Sequence, residues 1–150
     1  MQLELAIVQS CNETGCRVRP LGQDETLEVR YSAAVQDRIH IRRGELVAID
    51  HATDIPLLVW RWRRGRVLKA LGAQPAPGYV LIGAGPTAAE ARVARPDLQL
   101  EPGDHVWVLH SARGVEVFDR SVNGEPEHAE WIRREYFPFI EAQYAAHDAA

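Results

Sequence analysis

Short apolar-rich segments, several of them alternating apolar with polar residues, are separated by turn residues and constrain the fold of this chain more than any other feature. Five of them lie in the first 63 residues, at 3–10, 16–19, 26–31, 46–49 and 57–63. Alternation of apolar and polar side chains with period two is typical of strands that bury one face. The chain is therefore predicted to be mainly β.

Turn residues separate these predicted strands. Residues 12–15, Asn-Glu-Thr-Gly, are typical of a hairpin loop between the first two strands, and Pro20 ends the second. Ser32 can cap a short helix that extends through Arg38, because its hydroxyl can accept from free backbone N–H groups. Five strands with a small helix between the third and fourth describe an OB-type five-stranded barrel.

The second half of the chain repeats part of this pattern in degenerate form. Residues 102–108 parallel residues 43–49, and residues 115–118 parallel residues 59–62. A Gly- and Pro-rich stretch at 72–78 reads as a loop or linker between the copies. One prediction is a second, degenerate β-barrel. The alternative is one larger β domain whose later strands complete the first barrel.

Three regions follow: an OB-like β-barrel at 1–71, a smaller β-rich unit at 72–125 and a helical tail at 126–150. Acidic residues at the start of the tail favour a helix through the helix dipole, and Pro138 is expected to break or kink it. The aromatic tail either packs onto a barrel or docks a partner or a second copy. Its candidate partner-binding residues are Trp131, Tyr136, Phe137, Phe139, Ile140 and Tyr144.

Charge and hydropathy argue against several functional classes. The net charge is −4, yet residues 1–71 hold eleven basic and nine acidic residues, whereas residues 72–150 hold six and twelve. General coating of DNA needs a broad basic surface, so only a local basic site in the first half is expected. No apolar run approaches the roughly 20 residues of a membrane span. The N-terminus lacks a signal-peptide pattern, so we expect a cytoplasmic protein without a membrane partner.

Residues 59–66, Val-Trp-Arg-Trp-Arg-Arg-Gly-Arg, place two tryptophans and four arginines within eight positions. In a strand, both indoles face one way while Arg61 and Arg63 face the other. The indoles either pack in a core or stack on bases while the guanidiniums meet phosphates. The candidate nucleic-acid-binding residues are Arg17, Arg19, Arg30, Tyr31, Arg38, Arg42, Trp60, Arg61, Trp62, Arg63, Arg64 and Arg66.

Several short motifs carry a family resemblance. They are Cys16-Arg17-Val18, Ser32 at the helical turn, Arg38-Ile39-His40-Ile41, Gly44-Glu45-Leu46-Val47 and Val59-Trp60-Arg61-Trp62. With these motifs, residues 5–66 resemble bacterial translation initiation factor one and the wider S1-like OB-fold family. That family has Ser-Gly-Lys and Gly-Asp where this chain has Ser32-Ala33-Ala34 and Gly44-Glu45, so the basic residue is missing at Ala34. The resemblance implies an OB barrel that contacts RNA.

No residue pattern predicts catalysis, a metal site or a cofactor. Residues 83–88 fit Gly-x-Gly-x-x-Ala, but a short helix started by Pro86 and Thr87, without a βαβ unit, is the simpler interpretation. Cys11 and Cys16 lack two further zinc ligands, and we expect them to be reduced in the cytoplasm. We predict a non-catalytic protein that binds RNA or single-stranded nucleic acid. The alternative is a protein-interaction or structural module that assembles through its C-terminal helix.

Overall fold

The computed structural model describes residues 1–33, 35, 41–70, 78–84, 87–95, 97–111 and 114–149. These residues are mainly β, as predicted. The strands are β1 (Leu3–Cys11), β2 (Gly15–Pro20), β3 (Leu27–Tyr31), β4 (Leu46–Asp50), β5 (Leu57–Ala70), β6 (Tyr79–Ala84), β7 (Thr87–Val93), β8 (His105–Ser111), β9 (Gly114–Val122) and β10 (Glu125–Pro126). The C-terminal helix consists of α1 (Ala129–Trp131), a π-helical stretch (Ile132–Tyr136) and α2 (Phe137–Ala149).

The chain folds as two compact units. The first contains residues 1–61 together with residues 129–150, and the second contains residues 62–128. The long strand β5 runs through the division, so residues 57–61 belong to the first unit and residues 62–70 to the second.

In the first unit, five strands close into a ring with an OB-like order. β1 pairs antiparallel with β2, and β2 with β3. β3 pairs in parallel with the start of β5, β5 pairs with β4, and β4 returns antiparallel to β1. The ring encloses a core that includes Val8, Val18, Val29, Ile49 and Leu58. The OB-like β fold predicted for this part of the chain is confirmed.

The second unit has the same circuit of strands. Residues 62–70 of β5 pair with β6, β6 pairs with β7, and β7 pairs in parallel with β9. β9 then pairs with β8, which returns to β5. A separate core includes Val67, Ile82, Val106, Val108 and Val117. Residues 62–128 therefore form a second β unit with the strand order of the first, and it begins within β5 rather than at the predicted residue 72.

The short helix predicted at Pro86 and Thr87 is wrong, because β7 begins at Thr87. Its residues pair with β6, with Ala88 opposite Gly83 and Ala89 opposite Ile82. The backbone N–H groups of β7 thus enter a sheet ladder instead of pointing out of a helix N-terminus toward a phosphate. Residues 85 and 86 lie outside the described part of the chain.

The predicted helix from Ser32 to Arg38 can be followed only in part, since residues 34 and 36–40 lie outside the described ranges. The N–H of Val35 donates to the carbonyl of Ser32 at 3.2 Å, which forms a turn. The Ser32 hydroxyl lies 2.5 Å from the Tyr144 hydroxyl. This contact links Ser32 to the C-terminal helix, while the predicted capping role concerns residues that lie largely outside the described ranges.

The helix is not broken near Pro138, because the backbone is helical at Trp131 and at Phe137, on both sides of the π-helical stretch. Pro138 is the second residue of α2, which follows that stretch directly. Ile132 and Ile140 have no exposed surface, so the tail is part of a packed interior. Within the described part of the chain, no helix has the length and apolar character needed to cross a membrane.

Candidate nucleic-acid interface

A cleft of about 430 Å³ opens on the first unit between two loops and a strand. We call it the hairpin cleft. It is lined by Asn12, Thr14, Gly15, Glu28, Val29, Arg30, Asp54, Ile55 and Pro56. These residues come from the β1–β2 turn, from β3 and from the β4–β5 loop. In OB folds, the strand 2–3 face and these two loops are where oligonucleotides bind.

The β1–β2 turn is held by its own hydrogen bonds. Asn12 Oδ1 accepts from the N–H of Thr14 at 2.9 Å, from the Thr14 hydroxyl at 2.9 Å and from the N–H of Gly15 at 3.1 Å. A Cβ atom on Gly15 would lie 1.9 Å from the carbonyl oxygen of Val29. Only glycine therefore fits where the turn meets β3, and the wall of the cleft has a defined shape.

Three of the predicted arginines lie on the outward side of β2 and β3. Cys16 and Val18 of β2 are buried, so the alternating Arg17 and Arg19 point outward. On β3, Val29 is buried and Arg30 is exposed. We call Arg17, Arg19 and Arg30 the basic face. It borders the hairpin cleft, because Arg30 also lines that cleft.

The guanidiniums of the basic face have different partners. Arg17 pairs with Glu28 at 2.8 Å, but both side chains are more than half exposed. Arg19 donates to the carbonyl of Gln23 at 3.2 Å. Arg30 lies opposite Gly15 in the β2–β3 register and forms no ion pair with any residue that the structure describes. Exposed ion pairs contribute about 0–1 kcal/mol, so a phosphate can compete with Glu28 for Arg17.

Neither tryptophan of the Trp-Arg strand is fully open to solvent. Trp62 belongs to the second unit, has no exposed surface and packs edge-on against Phe118 at 6.3 Å. Its candidate role in base stacking is corrected, because a base cannot reach its ring. Trp60 belongs to the first unit and is half-buried, with T-shaped ring contacts to Tyr136 at 6.0 Å and to Phe139 at 6.1 Å.

Arg61 also contributes to packing within the first unit. Its guanidinium donates to both carboxylate oxygens of Glu45, at 2.9 and 3.1 Å, and both side chains are largely buried. Glu45 Oε1 additionally accepts from the N–H of Arg42 at 2.7 Å. This pair holds the turn before β4 against β5. The predicted phosphate contact by Arg61 is therefore corrected, because the buried pair already occupies its guanidinium.

The other predicted cations are spread over both units. The Arg42 side chain is exposed in the turn before β4 of the first unit. In the second unit, Arg63 is half-buried, while Arg64 and Arg66 are exposed. Arg38 lies outside the described residues. The stripe of arginines in residues 59–66 is thus divided between the units instead of forming one surface of the first ring.

Tyr31, a candidate for base stacking, hydrogen-bonds to the β1–β2 hairpin and packs against the core. Its hydroxyl donates to the carbonyl of Asn12 at 2.9 Å, and its oxygen lies 3.5 Å from Cys16 Sγ. The ring is half-buried and packs against the core of the first unit. Tyr31 thereby ties β3 to the tip of the β1–β2 hairpin.

Most of the predicted partner-binding residues contribute to the packing of this chain. Phe137 and Ile140 are buried, and the Tyr144 hydroxyl donates to the carbonyl of Val59 at 2.9 Å. Trp131 and Tyr136 are half-buried. Phe139 is 44% exposed and is the part of this set most open to solvent.

Cys11 and Cys16 face each other as the last pair of the β1–β2 register and are joined as a disulfide. The expected reduced pair is therefore not what the structure contains. Cys11 is exposed, whereas Cys16 is 2% exposed. The disulfide closes the hairpin directly behind the residues that line the cleft.

Two further groups of residues were missed in the sequence. The cleft residues Asn12, Thr14 and Asp54 could have been found, because an OB assignment already points to these loops. The second group, Asp119 and His128, has no local sequence pattern that would have predicted it. Asp119 is fully buried in the second unit and accepts from the backbone N–H of His128 at 2.5 Å and from its Nδ1 at 2.9 Å.

Comparison with known proteins leaves the family of this chain open. No protein-family model matches the sequence, and no curated protein matches it. A solved structure similar to the chain is that of a multidomain protein with nucleic-acid-binding domains from Streptococcus pneumoniae. The two share 10% identity with a TM-score of 0.33, over 81% of this chain. The chain spans 54% of that protein, about half of its length.

Proposed function

We propose that this protein is a non-catalytic module that binds RNA or single-stranded DNA through the basic face and the hairpin cleft of its first unit. The observation that carries the proposal is the common outward side of Arg17, Arg19 and Arg30 next to that cleft. Planar guanidiniums suit bidentate contacts with phosphate. The position is also the one that OB folds use for oligonucleotides.

The expected mode of binding is backbone contact with little stacking. Base stacking is worth about 1–3 kcal/mol per base, but Trp62 is buried and Trp60 is half-buried against Tyr136 and Phe139. Phosphate contacts position a strand without reading its sequence. We therefore propose weak, salt-sensitive and sequence-tolerant binding.

The hairpin cleft adds a polar site beside these phosphate contacts. Asn12, Thr14 and Asp54 bring an amide, a hydroxyl and a carboxylate to its wall. Such groups can hydrogen-bond a sugar or the edge of an unstacked base. A strand that crosses the basic face would thus place one nucleotide in the cleft.

Membership in the initiation-factor-like and S1-like family, and a cytoplasmic location, are finer parts of the same proposal. The support for the family is the OB-like strand order together with the motifs at 16–18, 44–47 and 59–62. The missing basic residue at Ala34 means that contacts made there in the family must be replaced in this chain. The basic face can supply that replacement.

Fluorescence anisotropy with labelled oligo(U) and oligo(dT) of about 12 nucleotides tests the proposal at about 50 mM salt. Arg30→Ala should weaken binding roughly tenfold, as expected for one charge-assisted contact. Arg92→Ala is the matched control, because Arg92 is an exposed strand arginine of the second unit that pairs with Glu116 at 2.8 Å. Absence of binding by the unmodified protein would overturn the proposal.

Assembly through the C-terminal helix is the less supported alternative. Phe137 and Ile140 are buried, and Tyr144 bonds to Ser32 and Val59 of the first unit. The apolar and hydroxyl groups that a partner would use are thus already engaged within the chain. Phe139, which is 44% exposed, is the residue of this set that would offer a partner the most exposed surface.

A further inference from the structure

The tip of the β1–β2 hairpin combines a cysteine pair with the wall of the hairpin cleft. Residues 12–15 lie between Cys11 and Cys16, and Asn12, Thr14 and Gly15 of that turn line the cleft. The cysteines occupy the last position of the β1–β2 ladder. A bond between them therefore anchors both ends of the segment that shapes this wall.

We infer that oxidation of Cys11 and Cys16 tightens ligand binding at the hairpin cleft, which makes the first unit a redox-responsive binding module. The inference rests on the proposed function, since it concerns regulation of the same site. Without the bond, the end of a ladder frays and the turn must be ordered when the ligand binds. With the bond, the turn is already ordered before the ligand binds, so binding loses less conformational entropy. Such pre-organisation raises affinity.

The surroundings of Cys11 and Cys16 can accommodate both the disulfide and the dithiol form. Cys11 is exposed, so a small thiol or disulfide can reach its sulfur. Cys16 is buried, and its sulfur lies 3.5 Å from the Tyr31 hydroxyl oxygen. In the dithiol form, the Cys16 S–H can donate to that oxygen, while the Tyr31 hydroxyl continues to donate to the carbonyl of Asn12.

The chemical step is thiol–disulfide exchange with a low-molecular-weight disulfide such as glutathione disulfide. The Cys11 thiolate attacks one sulfur of the reagent and forms a mixed disulfide, releasing one glutathione thiolate. The Cys16 thiolate then attacks the Cys11 sulfur and releases the second. Two electrons pass from the protein sulfurs to the reagent, and the two protons of the cysteine thiols are recovered on the two glutathione thiols.

The test compares anisotropy titrations of the full chain with labelled oligo(U) after equilibration in oxidised or reduced glutathione. We expect the oxidised protein to bind roughly three- to tenfold more tightly. Mass spectrometry of the intact protein reports the loss of two hydrogens. The Cys11→Ser/Cys16→Ser variant is the control, and its dissociation constant should match that of the reduced protein in both buffers.

Hydrogen exchange of the turn gives a readout that does not depend on the ligand. The amides of Thr14 and Gly15, which donate to Asn12 Oδ1, should exchange faster in the reduced protein. Equal dissociation constants in the two states would overturn the redox inference and leave the proposed function intact. No binding in either state would overturn the proposed function, and the redox inference with it.

Discussion

At the scale of single residues, the arginines of this chain divide by burial into structural and available groups. Arg61 and Glu45 form a bidentate pair with side chains that are 12% and 8% exposed. Arg17 and Glu28 form a pair with side chains that are 57% and 67% exposed. The residue types are the same, but the surrounding solvent differs, so the two pairs should contribute differently to stability.

Glu45→Gln should lower the free energy of unfolding by about 3 kcal/mol, because it leaves the buried Arg61 charge without its counter-ion. Glu28→Gln is the matched control and should change it by less than about 1 kcal/mol, because water screens the exposed pair. Urea unfolding of both variants measures the difference. Equal effects of the two substitutions would contradict the structural role assigned to Arg61.

A pH dependence is expected at the Arg95–Asp97 pair of the second unit. Arg95 donates hydrogen bonds to both oxygens of Asp97, at 3.3 and 3.0 Å, and these bonds hold the pKa of that carboxyl below its ordinary value of 3.8. The folded protein then keeps Asp97 ionised at a pH where the unfolded chain protonates it. Its contribution to stability is therefore present above 3.8 and is lost as the pH falls through the lowered pKa.

Asp97→Asn should consequently have a lower Tm than the unmodified protein at neutral pH, and the two values should converge in strong acid. The difference should be small, because Asp97 is exposed and solvent weakens the pair. Thermal unfolding followed over a pH series measures it. A Tm difference that stays constant into strong acid would show that the effect is not the charge of Asp97.

At the scale of elements, the C-terminal helix belongs to the first unit even though it lies far in sequence from residues 1–61, which form the rest of that unit. Its residues contact the start of β5, through the Trp60 ring and the carbonyl of Val59, and contact Ser32 beyond β3. Amphipathic packing of this kind usually stabilises a helix more than intrinsic propensity does. The helix should therefore respond strongly to loss of a buried side chain.

Ile140→Ala should destabilise the protein by about 3 kcal/mol, since it removes a fully buried side chain and leaves a cavity. Phe139→Ala, on the neighbouring residue, should cost about 1 kcal/mol, because that ring is 44% exposed and contributes mainly ring contacts with Tyr136 and Trp60. Chemical denaturation followed by tryptophan fluorescence measures both. The reverse order would mean that the helix packs through its other face.

At the scale of the whole molecule, the chain has a net charge of −4, although the basic face of its first unit is locally positive. Binding that depends on the three arginines of this face should show a slope of about −2 for log K against log salt concentration. Arg30→Ala should make this slope shallower by about 0.7, because one phosphate contact is lost. Anisotropy titrations between about 50 and 200 mM salt measure both slopes. Binding that does not respond to salt would exclude phosphate contacts as its source.

Local pattern was enough to predict much of the fold. Alternation over residues 16–19 and 26–31 reflects which side chains leave water. Arg17 lies exposed between buried Cys16 and Val18, and buried Val29 lies between two exposed residues. The similarity between residues 102–108 and 43–49 likewise predicted a second β unit, because a similar order of turn and strand residues favours a similar pairing of strands. The helix start predicted at Thr87 was wrong, because small and polar residues such as those of 87–93 also occur in a strand that is paired on both sides.

The sequence by itself determined that this chain is mainly β, that it contains an OB-like series of strands and that its cations concentrate in the first half. The tertiary structure decided which of those cations meet solvent. Arg61 is largely buried against Glu45, whereas Arg17 is exposed and lies across from Glu28. The reason is that alternation is a local property, whereas burial and cross-strand neighbours depend on residues distant in sequence that only the folded chain brings together.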